Sequence, residues 1–297
     1  MMNSPADKIL VTGAKGQLGA EMMALLQRKG IVAVGYGRDG LDITDAEQVM
    51  DVMLRERPTH VIHAGAYTKV DDAEGDRDTA YLVNAYGTRN VAVAAAQAGA
   101  RLVYISTDYV FDGRAAHPYN EFEPVRPINR YGRSKWEGEQ FVRQHHSRAF
   151  IVRTSWVFGA YGENFVKTIL RKAQTEAELQ VVHDQVGCPT YTLDLSEAII
   201  RLLATDKYGT YHITNSGACS WHSFAAAIVA EAGLSTKVRP VGTSQFPRPA
   251  RRPGYSVLEP MALRLNGFPL LRHWTEALQH FVKECMEKPQ SDYNGKK

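Results

Sequence analysis

The sequence predicts an α/β fold, a doubly wound parallel sheet with a smaller C-terminal α/β part. Three observations lead to this prediction. Apolar β runs alternate with helical patterns, a glycine-rich turn follows the first β run, and the alternation becomes less regular beyond residue 158. We therefore expect one domain at 1–158 with a later contribution from about 190–214, a second mainly at 159–288, and a disordered tail at 289–297.

The predicted strands of the first part are short runs rich in Val, Ile and Leu, at 8–12, 31–36, 60–64, 102–105 and 150–153. Helical patterns separate them at 17–29, 45–56 and 78–98, and a further helix includes Tyr131. Thr44 and Glu47 have capping-box spacing at the start of the second helix. Asn84 lies inside the third helix, where a packing role is expected.

The C-terminal part has helical patterns at about 164–175, 193–204 and 221–232, and β runs at 179–182 and 210–214. Ser220 is a candidate N-cap of the last of these helices. The loop 245–255 holds Arg248, Arg251 and Arg252 among three prolines. Such a loop is either a solvated surface or a clamp for a diphosphate, and the sequence alone leaves both readings open.

Composition excludes several classes of function. The chain is 44% hydrophobic and 23% charged, which is ordinary for a globular protein, and its net charge of +3 does not favour nucleic-acid binding. No apolar run approaches the roughly 18 residues of a membrane span, and the polar start has no signal-peptide core, so we expect a cytoplasmic protein. Cys188, Cys219 and Cys285 are far apart and are expected to be free thiols.

The glycine-rich turn has the spacing G-x-x-G-x-x-G at Gly13, Gly16 and Gly19. Glycine lets a pyrophosphate approach the backbone, and the N-terminus of the next helix offers unpaired N–H groups. We therefore predict a Rossmann-type dinucleotide site, with a tight turn that binds nothing as the alternative.

The end of the second strand bears on the choice of dinucleotide. An acid there binds the ribose hydroxyls of NAD, whereas an arginine accommodates the 2′-phosphate of NADP, and this chain has both Arg38 and Asp39. The sequence favours NADPH slightly and leaves NADH open. Farther along, Asp42 could accept from an adenine amino group and Ile43 could cover the ring, although Asp42 could equally be a turn residue.

The candidate catalytic residues are Thr107, Tyr131 and Lys135. Tyr131 and Lys135 are four residues apart on a helix and so share a face, where the ammonium should lower the pKa of the phenol. Thr107 follows the fourth strand, at the sheet edge where catalytic groups are expected. The third strand ends at the same edge in small residues that leave room for a cofactor, from Ala64 to Ala66.

These motifs together resemble the extended short-chain dehydrogenase/reductases. Four further blocks resemble the dTDP-4-dehydrorhamnose reductase family more specifically: ISTDYVFDG at 105–113, RTSWVF at 153–158, DQVGCPT at 184–190 and RPGYSVL at 252–258. The matching blocks extend from residue 8 to about 286. Their combination is far more specific than any single motif.

The resemblance implies NAD(P)H-dependent reduction of the 4-keto group of dTDP-4-dehydro-6-deoxy-L-mannose to dTDP-L-rhamnose, the last step of dTDP-rhamnose biosynthesis. Thr107 would then bind the ketone oxygen, Tyr131 would protonate it, and Lys135 would also bond the nicotinamide ribose. The resemblance also implies that Asp108 and Trp156 contact the sugar and that Arg252 binds phosphate. It places these residues around the cofactor: Gln17, Leu18, Asp42, Ile43, Gly65, Ala66 and Tyr67.

Two alternatives to this reductase are considered. A nucleotide-sugar epimerase or dehydratase could share the fold, but Tyr109 stands where dehydratases typically carry Glu. A non-catalytic NADP-binding subunit, similar to the regulatory subunit of methionine adenosyltransferase, is disfavoured by the intact Thr107, Tyr131 and Lys135. The chain is expected to be a monomer or a homodimer.

Metal binding is considered because some members of the family form a dimer bridged by Mg²⁺-bound carboxylates. Glu21 is present, but the segment 190–194 places no glutamate at the expected partner position. No metal site is therefore predicted, and a Mg²⁺ requirement for activity is left open.

Overall fold

The computed structural model describes residues 7–287 of the chain. Its strands are β1 (Ile9–Thr12), β2 (Ala33–Tyr36), β3 (His60–His63), β4 (Arg101–Thr107), β5 (Ala149–Thr154), β6 (Val157–Phe158), β7 (Glu178–Val182), β8 (Val186–Gly187), β9 (Thr190–Tyr191), β10 (Gly209–His212), β11 (Asn215–Ser216), β12 (Cys219–Ser220), β13 (Lys237–Val241) and β14 (Leu271–His273).

The α-helices are α1 (Gln17–Arg28), α2 (Ala46–Glu56), α3 (Asp72–Gly75), α4 (Arg77–Tyr81), α5 (Thr88–Gln97), α6 (Arg130–His145), α7 (Phe165–Ala173), α8 (Thr192–Leu203), α9 (Trp221–Glu231), α10 (Met261–Leu265) and α11 (Trp274–Glu287). A π-helix, Leu82–Gly87, joins α4 to α5, and 3₁₀ turns occupy Asp108–Val110 and Thr243–Gln245.

The central sheet has six parallel strands in the order β10-β5-β4-β3-β1-β2. The strand order reverses direction at β1, so consecutive crossovers place helices on both faces. This arrangement confirms the predicted α/β fold. The sixth strand, β10, comes from a late part of the chain and pairs with β5.

Alternate residues of the strands pack against different helix layers. Ile9 and Val11 face α1 and α8, whereas Leu10 faces α2 and α5. Because side chains of a strand point to opposite faces in turn, a sheet buried on both sides needs apolar residues at every position. The four residues of β1 are all buried; the first three are apolar, and the hydroxyl of Thr12 is hydrogen-bonded to His63.

A separate apolar cluster fills the C-terminal part. It is formed by residues of α7, α9, α11 and the short strands around them, and the ring of Phe158 contacts the rings of Phe224 and Phe281. The parallel pair β7 and β13 covers one side of α9. The C-terminal part therefore has its own core, and the cleft described below lies beside it. The predicted disordered tail lies outside the described residues.

Two local predictions were wrong. The N-cap of α2 is Asp45, whose Oδ1 accepts from the N–H groups of Glu47 and Gln48 at 3.0 Å each, while the Thr44 hydroxyl donates to Asp42. The predicted helix 78–98 is interrupted by the π-helix, which holds Asn84 in its interior. Within residues 7–287, none of the helices is sufficiently long and apolar to cross a membrane.

Candidate active site

The turn between β1 and α1 depends on its glycines. Gly13 has φ +67°, and a Cβ there would lie 2.6 Å from the nitrogen of Gly65, so only glycine lets the turn touch the end of β3. A Cβ on Gly19 would overlap the carbonyl of Gly13. Gly16 caps α1 without a side chain, and no acidic residue follows in the first turn. The first N–H groups of α1 are therefore available to an anion.

A buried acceptor lies beside this turn. Oε1 of Gln17 is shielded from solvent and has no hydrogen-bond partner among the described residues. Such an acceptor is costly unless something donates to it, as a ribose hydroxyl could. The side chain of Leu18 packs in the sheet core, so only its backbone could meet a ligand here. The open turn and the unpaired amide fit a dinucleotide.

Two cations and one paired acid lie at the end of β2, where Lys15 reaches across from the glycine turn. Lys15 donates to Asp39 at 2.6 Å, and both side chains are exposed. Arg38 is exposed beside them. Farther on, Oδ1 of Asp42 accepts from the N–H and hydroxyl of Thr44 at 2.9 and 2.8 Å, and these bonds lower the pKa of Asp42.

The segment after β3 is fixed by Asn84. Its Oδ1 accepts from the backbone N–H of Tyr67 at 2.8 Å, and its Nδ2 donates to the carbonyl of Tyr67 at 3.0 Å. The same Nδ2 donates to Oγ of Ser134 on α6 at 2.9 Å. A π-helical turn is frequent at functional sites because it redirects side chains. Here it joins the segment Ala64–Tyr67 to the helix that carries Tyr131.

The start of α6 is anchored on two sides. Oδ1 of Asn129 accepts from the N–H of Gly132 at 2.7 Å, and Nδ2 of Asn129 donates to the carbonyl of Arg251 at 2.9 Å. A Cβ on Gly132 would overlap the carbonyl of Tyr109. Glycine at this position therefore lets α6 approach the end of β4, which carries Thr107.

Thr107, Tyr131 and Lys135 come together at this edge. A side-chain hydrogen bond joins Thr107 to Tyr131. Lys135 is buried, and its Nζ lies 4.2 Å from the centroid of the Tyr104 ring. The aromatic face partly compensates the buried ammonium for its lost hydration.

The prediction that the pKa of Tyr131 is lowered was wrong. Burial, together with the charge of Asp108, raises the pKa of Tyr131 to about 12, although the Thr107 hydrogen bond acts in the other direction. Burial lowers the pKa of Lys135 to about 7, and Glu139 opposes that shift. Burial destabilises the charged phenolate and the charged ammonium by more than their neighbours stabilise them.

Asp108 is buried under the end of β4. Its Oδ2 accepts from the hydroxyl of Ser256 at 2.6 Å, and its Oδ1 accepts from Thr107 at 3.0 Å. Burial nevertheless raises the pKa of Asp108 to about 6. This carboxyl is therefore held by hydroxyl groups of the protein itself.

Arg252 is bound to an acid of the protein. Both of its terminal nitrogens donate to the carboxylate of Asp71, one of them to Oδ2 at 2.8 Å. The N–H of Ala250 also donates to Asp71, at 3.2 Å. Such a bidentate pair fixes the guanidinium in one orientation. Phosphate binding by Arg252 thus requires that a ligand share the guanidinium with Asp71.

Trp156 has a strained backbone and a stacked ring. Its φ is +47°, which is uncommon for a residue other than glycine. The indole lies face to face on Trp221, with 3.6 Å between centroids and 9° between planes. A Cβ on Gly187 would lie 2.6 Å from the Trp156 ring. The indole is therefore held between α9 and β8.

The chain was compared with known proteins. The family model described as the RmlD substrate binding domain matches residues 7–287. A crystal structure of dTDP-4-dehydrorhamnose reductase from Bacillus anthracis, in complex with NADP, superposes with a TM-score of 0.92 and 48% identity, covering 94% of this chain and 99% of that chain. The chain belongs to the RmlD family of dTDP-4-dehydrorhamnose reductases.

Two similar proteins have different names. The spore coat polysaccharide biosynthesis protein SpsK of Bacillus subtilis is 43% identical, over 93% of this chain and 97% of its own length. The dTDP-4-keto-6-deoxy-D-glucose reductase of Streptomyces niveus is 40% identical, over 92% of this chain and 95% of its own length. The RmlD family relationship therefore covers nearly the whole chain.

A cleft of about 1040 Å³ opens beside these residues in this RmlD family member. Tyr109 and Arg252 line it on the sheet side, and Trp221 lines it on the side of α9. Arg248 and Arg251 also line the cleft. The cleft therefore combines aromatic faces with guanidinium groups, as a site for a nucleotide sugar requires.

Most of the predicted site residues lie on the elements that surround this edge of the sheet. Leu18 and Ile43 differ from the others because their side chains are buried in the core, where Ile43 meets Gly87. Sequence reasoning did not identify Asn84, Asp71 or Trp221 as site residues. The one signal in the sequence was that Asn84 is a polar residue within the alanine-rich pattern 78–98. Nothing in the sequence indicated Asp71 or Trp221 as site residues.

Glu21 is buried on α1, away from solvent. It accepts from the hydroxyl of Thr192 at 3.1 Å and from Arg28 at 3.4 Å, and burial raises its pKa. Within residues 7–287, no group of three or more His, Cys, Asp or Glu side chains is arranged to hold a metal ion. The question of a Mg²⁺ requirement stays as the sequence left it.

Proposed function

We propose that this chain reduces the 4-keto group of dTDP-4-dehydrorhamnose to dTDP-L-rhamnose, with NADPH or NADH as the reductant. The observation that carries the proposal is the position of Tyr131, which neighbours Thr107 and whose ring meets Tyr109 in the wall of the cleft. Lys135 is buried one turn along the same helix. Family membership supports it, because relatives and solved structures that cover nearly the whole chain carry the name of this reductase.

The dinucleotide would lie along the edge formed by Gly13, Gly16, Gly65 and the Asn84-anchored segment that follows. When bound, it supplies the hydride to the ketone carbon. Gly16 and the N-terminus of α1 would receive the pyrophosphate, and Lys135 would bond the ribose next to the nicotinamide. We infer that residues 1–158, with about 190–214, hold the dinucleotide and that 159–288 mainly hold the sugar nucleotide.

Tyr131 is the proposed proton donor. Because its pKa is raised to about 12, the phenol holds its proton at neutral pH and can release it as negative charge develops on the ketone oxygen. The Thr107 hydroxyl, which donates its proton to Asp108 in this structure, would turn to donate it to the same ketone oxygen. The pKa of Lys135 is about 7, so its ammonium is close to losing its proton at neutral pH. A bound ribose and substrate would change the surroundings of Lys135 and therefore this pKa.

The proposed preference is for NADPH over NADH. Asp39 is neutralised by Lys15, which leaves the exposed Arg38 to meet a 2′-phosphate at the end of β2. An acid that is already paired is a poorer partner for the ribose hydroxyls of NADH.

A second substrate is favoured by one comparison. The Streptomyces niveus relative is named for dTDP-4-keto-6-deoxy-D-glucose, which differs from dTDP-4-dehydrorhamnose in sugar configuration. Both sugars carry the 4-keto group that Thr107 and Tyr131 would address. Only contacts to the sugar ring, such as those proposed for Asp108 and Trp156, can distinguish the two sugars.

The testing experiment uses both sugars with both reductants. The dTDP-4-keto-6-deoxy-D-glucose is supplied by a dehydratase, and addition of an epimerase supplies dTDP-4-dehydrorhamnose; loss of nicotinamide absorbance and identification of the product follow the reaction. Oxidation that depends on the epimerase, with dTDP-L-rhamnose as product, supports the proposal. Oxidation without the epimerase identifies the second substrate. Binding of NADPH with no turnover of either sugar would favour a non-catalytic subunit.

A further inference from the structure

The amino-terminal edge of the central sheet, opposite the candidate active site, contains a cavity of about 550 Å³. Arg57 reaches it from the loop before β3, Arg101 from the start of β4, and Arg148 from the loop before β5. His60, Thr59 and Asp7 complete its charged and polar lining. Nothing in the proposed reduction uses these residues, because substrates of a parallel sheet bind at the carboxyl ends of its strands.

The three guanidinium groups are only partly neutralised. Arg101 donates to Asp206 at 2.7 Å and to the carbonyl of Leu203 at 3.0 Å, which holds it in place. Arg148 donates to the carbonyl of Gly99. Within residues 7–287, neither Arg57 nor Arg148 forms an ion pair with a carboxylate, so Asp7 is the acid that remains to offset them.

His60 gives an independent indication of a ligand. Its side chain is buried, with 5% of the residue exposed, and its Nδ1 lies 2.9 Å from the hydroxyl of Thr59. Its Nε2 is buried and has no hydrogen-bond partner among the described residues. Buried polar atoms are nearly always paired, so this nitrogen, in a residue that lines an arginine-rich cavity, is expected to meet a hydrogen-bond partner supplied by a ligand.

We propose that this cavity binds a small molecule through a phosphate group, held by Arg57, Arg101 and Arg148 with His60 in the wall. Three guanidinium groups that approach from separate loops can each donate to a different oxygen of one tetrahedral group. A carboxylate offers fewer oxygens to such a set. The cavity is larger than a phosphate ion, and so it could also hold the phosphate of a nucleotide.

The state of His60 offers a local readout. Burial and the charge of Arg101 lower the pKa of His60, whereas Asp7 acts in the opposite direction. A phosphate group beside Nε2 would favour the imidazolium form and raise this pKa, by about one unit or more. Binding at the glycine turn or in the cleft would not produce this change.

The experiment follows the His60 ring by NMR in the full chain, with the resonance assigned from His60→Gln. Inorganic phosphate, pyrophosphate and a nucleoside monophosphate are titrated at constant ionic strength. We expect a saturable movement of the His60 resonance and a rise in its pKa. The anion with the highest affinity distinguishes free phosphate from a phosphorylated metabolite.

A double variant, Arg57→Asn and Arg148→Gln, should weaken this binding by about tenfold or more. Asn suits the left-handed backbone of Arg57, whose φ is +46°. The matched control is Arg239→Gln with Arg264→Gln, which removes two exposed guanidinium groups elsewhere. The proposal would be overturned if both double variants weakened binding equally. It would also be overturned if millimolar concentrations of all three anions left the His60 resonance unmoved.

If the double variant unfolds, the single variant Arg148→Gln tests the proposed phosphate site. Arg148 is exposed, and its side chain makes one hydrogen bond, to the carbonyl of Gly99. Its loss should still reduce the affinity measured at His60. An unchanged affinity in a folded Arg148→Gln protein would count against the site.

Discussion

Ser256 donates a hydrogen bond of 2.6 Å to Asp108, and this bond joins the loop near the C-terminus to the end of β4. The other carboxylate oxygen of Asp108 accepts from Thr107 at 3.0 Å. Despite both donors, burial keeps the pKa of Asp108 raised, at about 6. The residue next to Thr107 therefore changes its charge near pH 6.

Asp108→Asn is expected to raise the free energy of unfolding at neutral pH by about 1–3 kcal/mol. The raised pKa means that the folded state holds the proton more tightly than the unfolded chain does. Stability from this group is therefore present below its ordinary pKa of 3.8 and is lost as pH rises through about 6. Urea unfolding over this pH range should show a smaller decline for the variant. Parallel curves for the two proteins would mean that Asp108 is not buried as described.

Tyr131→Phe should lower turnover by about 10²-fold or more, because it removes the proposed proton donor and leaves the ring in place. Tyr109→Phe is the matched control, since the Tyr109 ring lies edge-on to Tyr131 at 5.9 Å between centroids. The control should keep most of its activity. Steady-state rates with saturating reductant make the comparison, and the reverse pattern would assign the acid to Tyr109.

Lys135→Met is expected to abolish most activity and yet to raise the free energy of unfolding at pH 7 by about 2–4 kcal/mol. The folded pKa of Lys135 is lowered to about 7 from 10.5, so the unfolded chain binds more protons between these values. Wild-type stability should therefore gain from this group as pH rises from about 7 to 10.5. Denaturant unfolding should show this gain in the wild type and lose it in the variant. A destabilised Lys135→Met protein would contradict the assignment.

The parallel sheet could be predicted because each strand of the first part is a short apolar run between helical patterns. The order of its strands was not predicted, since it depends on pairing between strands that are distant in the sequence. The glycine turn was also predictable, since its spacing and its position between β1 and α1 have a direct physical meaning. The same local reasoning explains the error at α2. Thr44 and Glu47 have the right spacing for a capping box, but Asp45 is one residue closer and competes for the same N–H groups.

The remaining features depend on residues far apart in the chain. Arg252 pairs with Asp71, 181 residues away, and no pattern around either residue indicates the other. Asn84, inside the π-helix Leu82–Gly87, bonds to Tyr67 and Ser134, which are 17 and 50 residues away. The pKa of Tyr131 was predicted wrongly for a related reason. Spacing on a helix shows which charges are near, but it does not show how deeply they are buried.

Asn84→Ala should raise the KM for the reductant by about tenfold and lower the free energy of unfolding by about 1–3 kcal/mol. It removes both bonds to Tyr67, so the segment after β3 is no longer fixed against the nicotinamide site. Ser134→Ala is the control, because it removes the bond between Asn84 and α6 and the bond from Ser134 to the carbonyl of Tyr131, but leaves both bonds to Tyr67. A positioning role predicts a larger KM effect in Asn84→Ala than in Ser134→Ala at equal loss of stability. Equal KM values in the two variants would mean that Asn84 acts only in packing.

Arg38→Gln should lower kcat/KM with NADPH by about tenfold and leave the value with NADH nearly unchanged. The reason is that the exposed Arg38 is free to meet a 2′-phosphate, whereas Asp39 is engaged by Lys15 at 2.6 Å. Asp39→Asn gives the complementary test, since it releases Lys15 and should leave the use of NADPH intact or improve it. Initial rates with each reductant at a fixed sugar concentration measure both effects. A loss with NADH as large as that with NADPH would show that Arg38 acts on the fold of the turn and not on the phosphate.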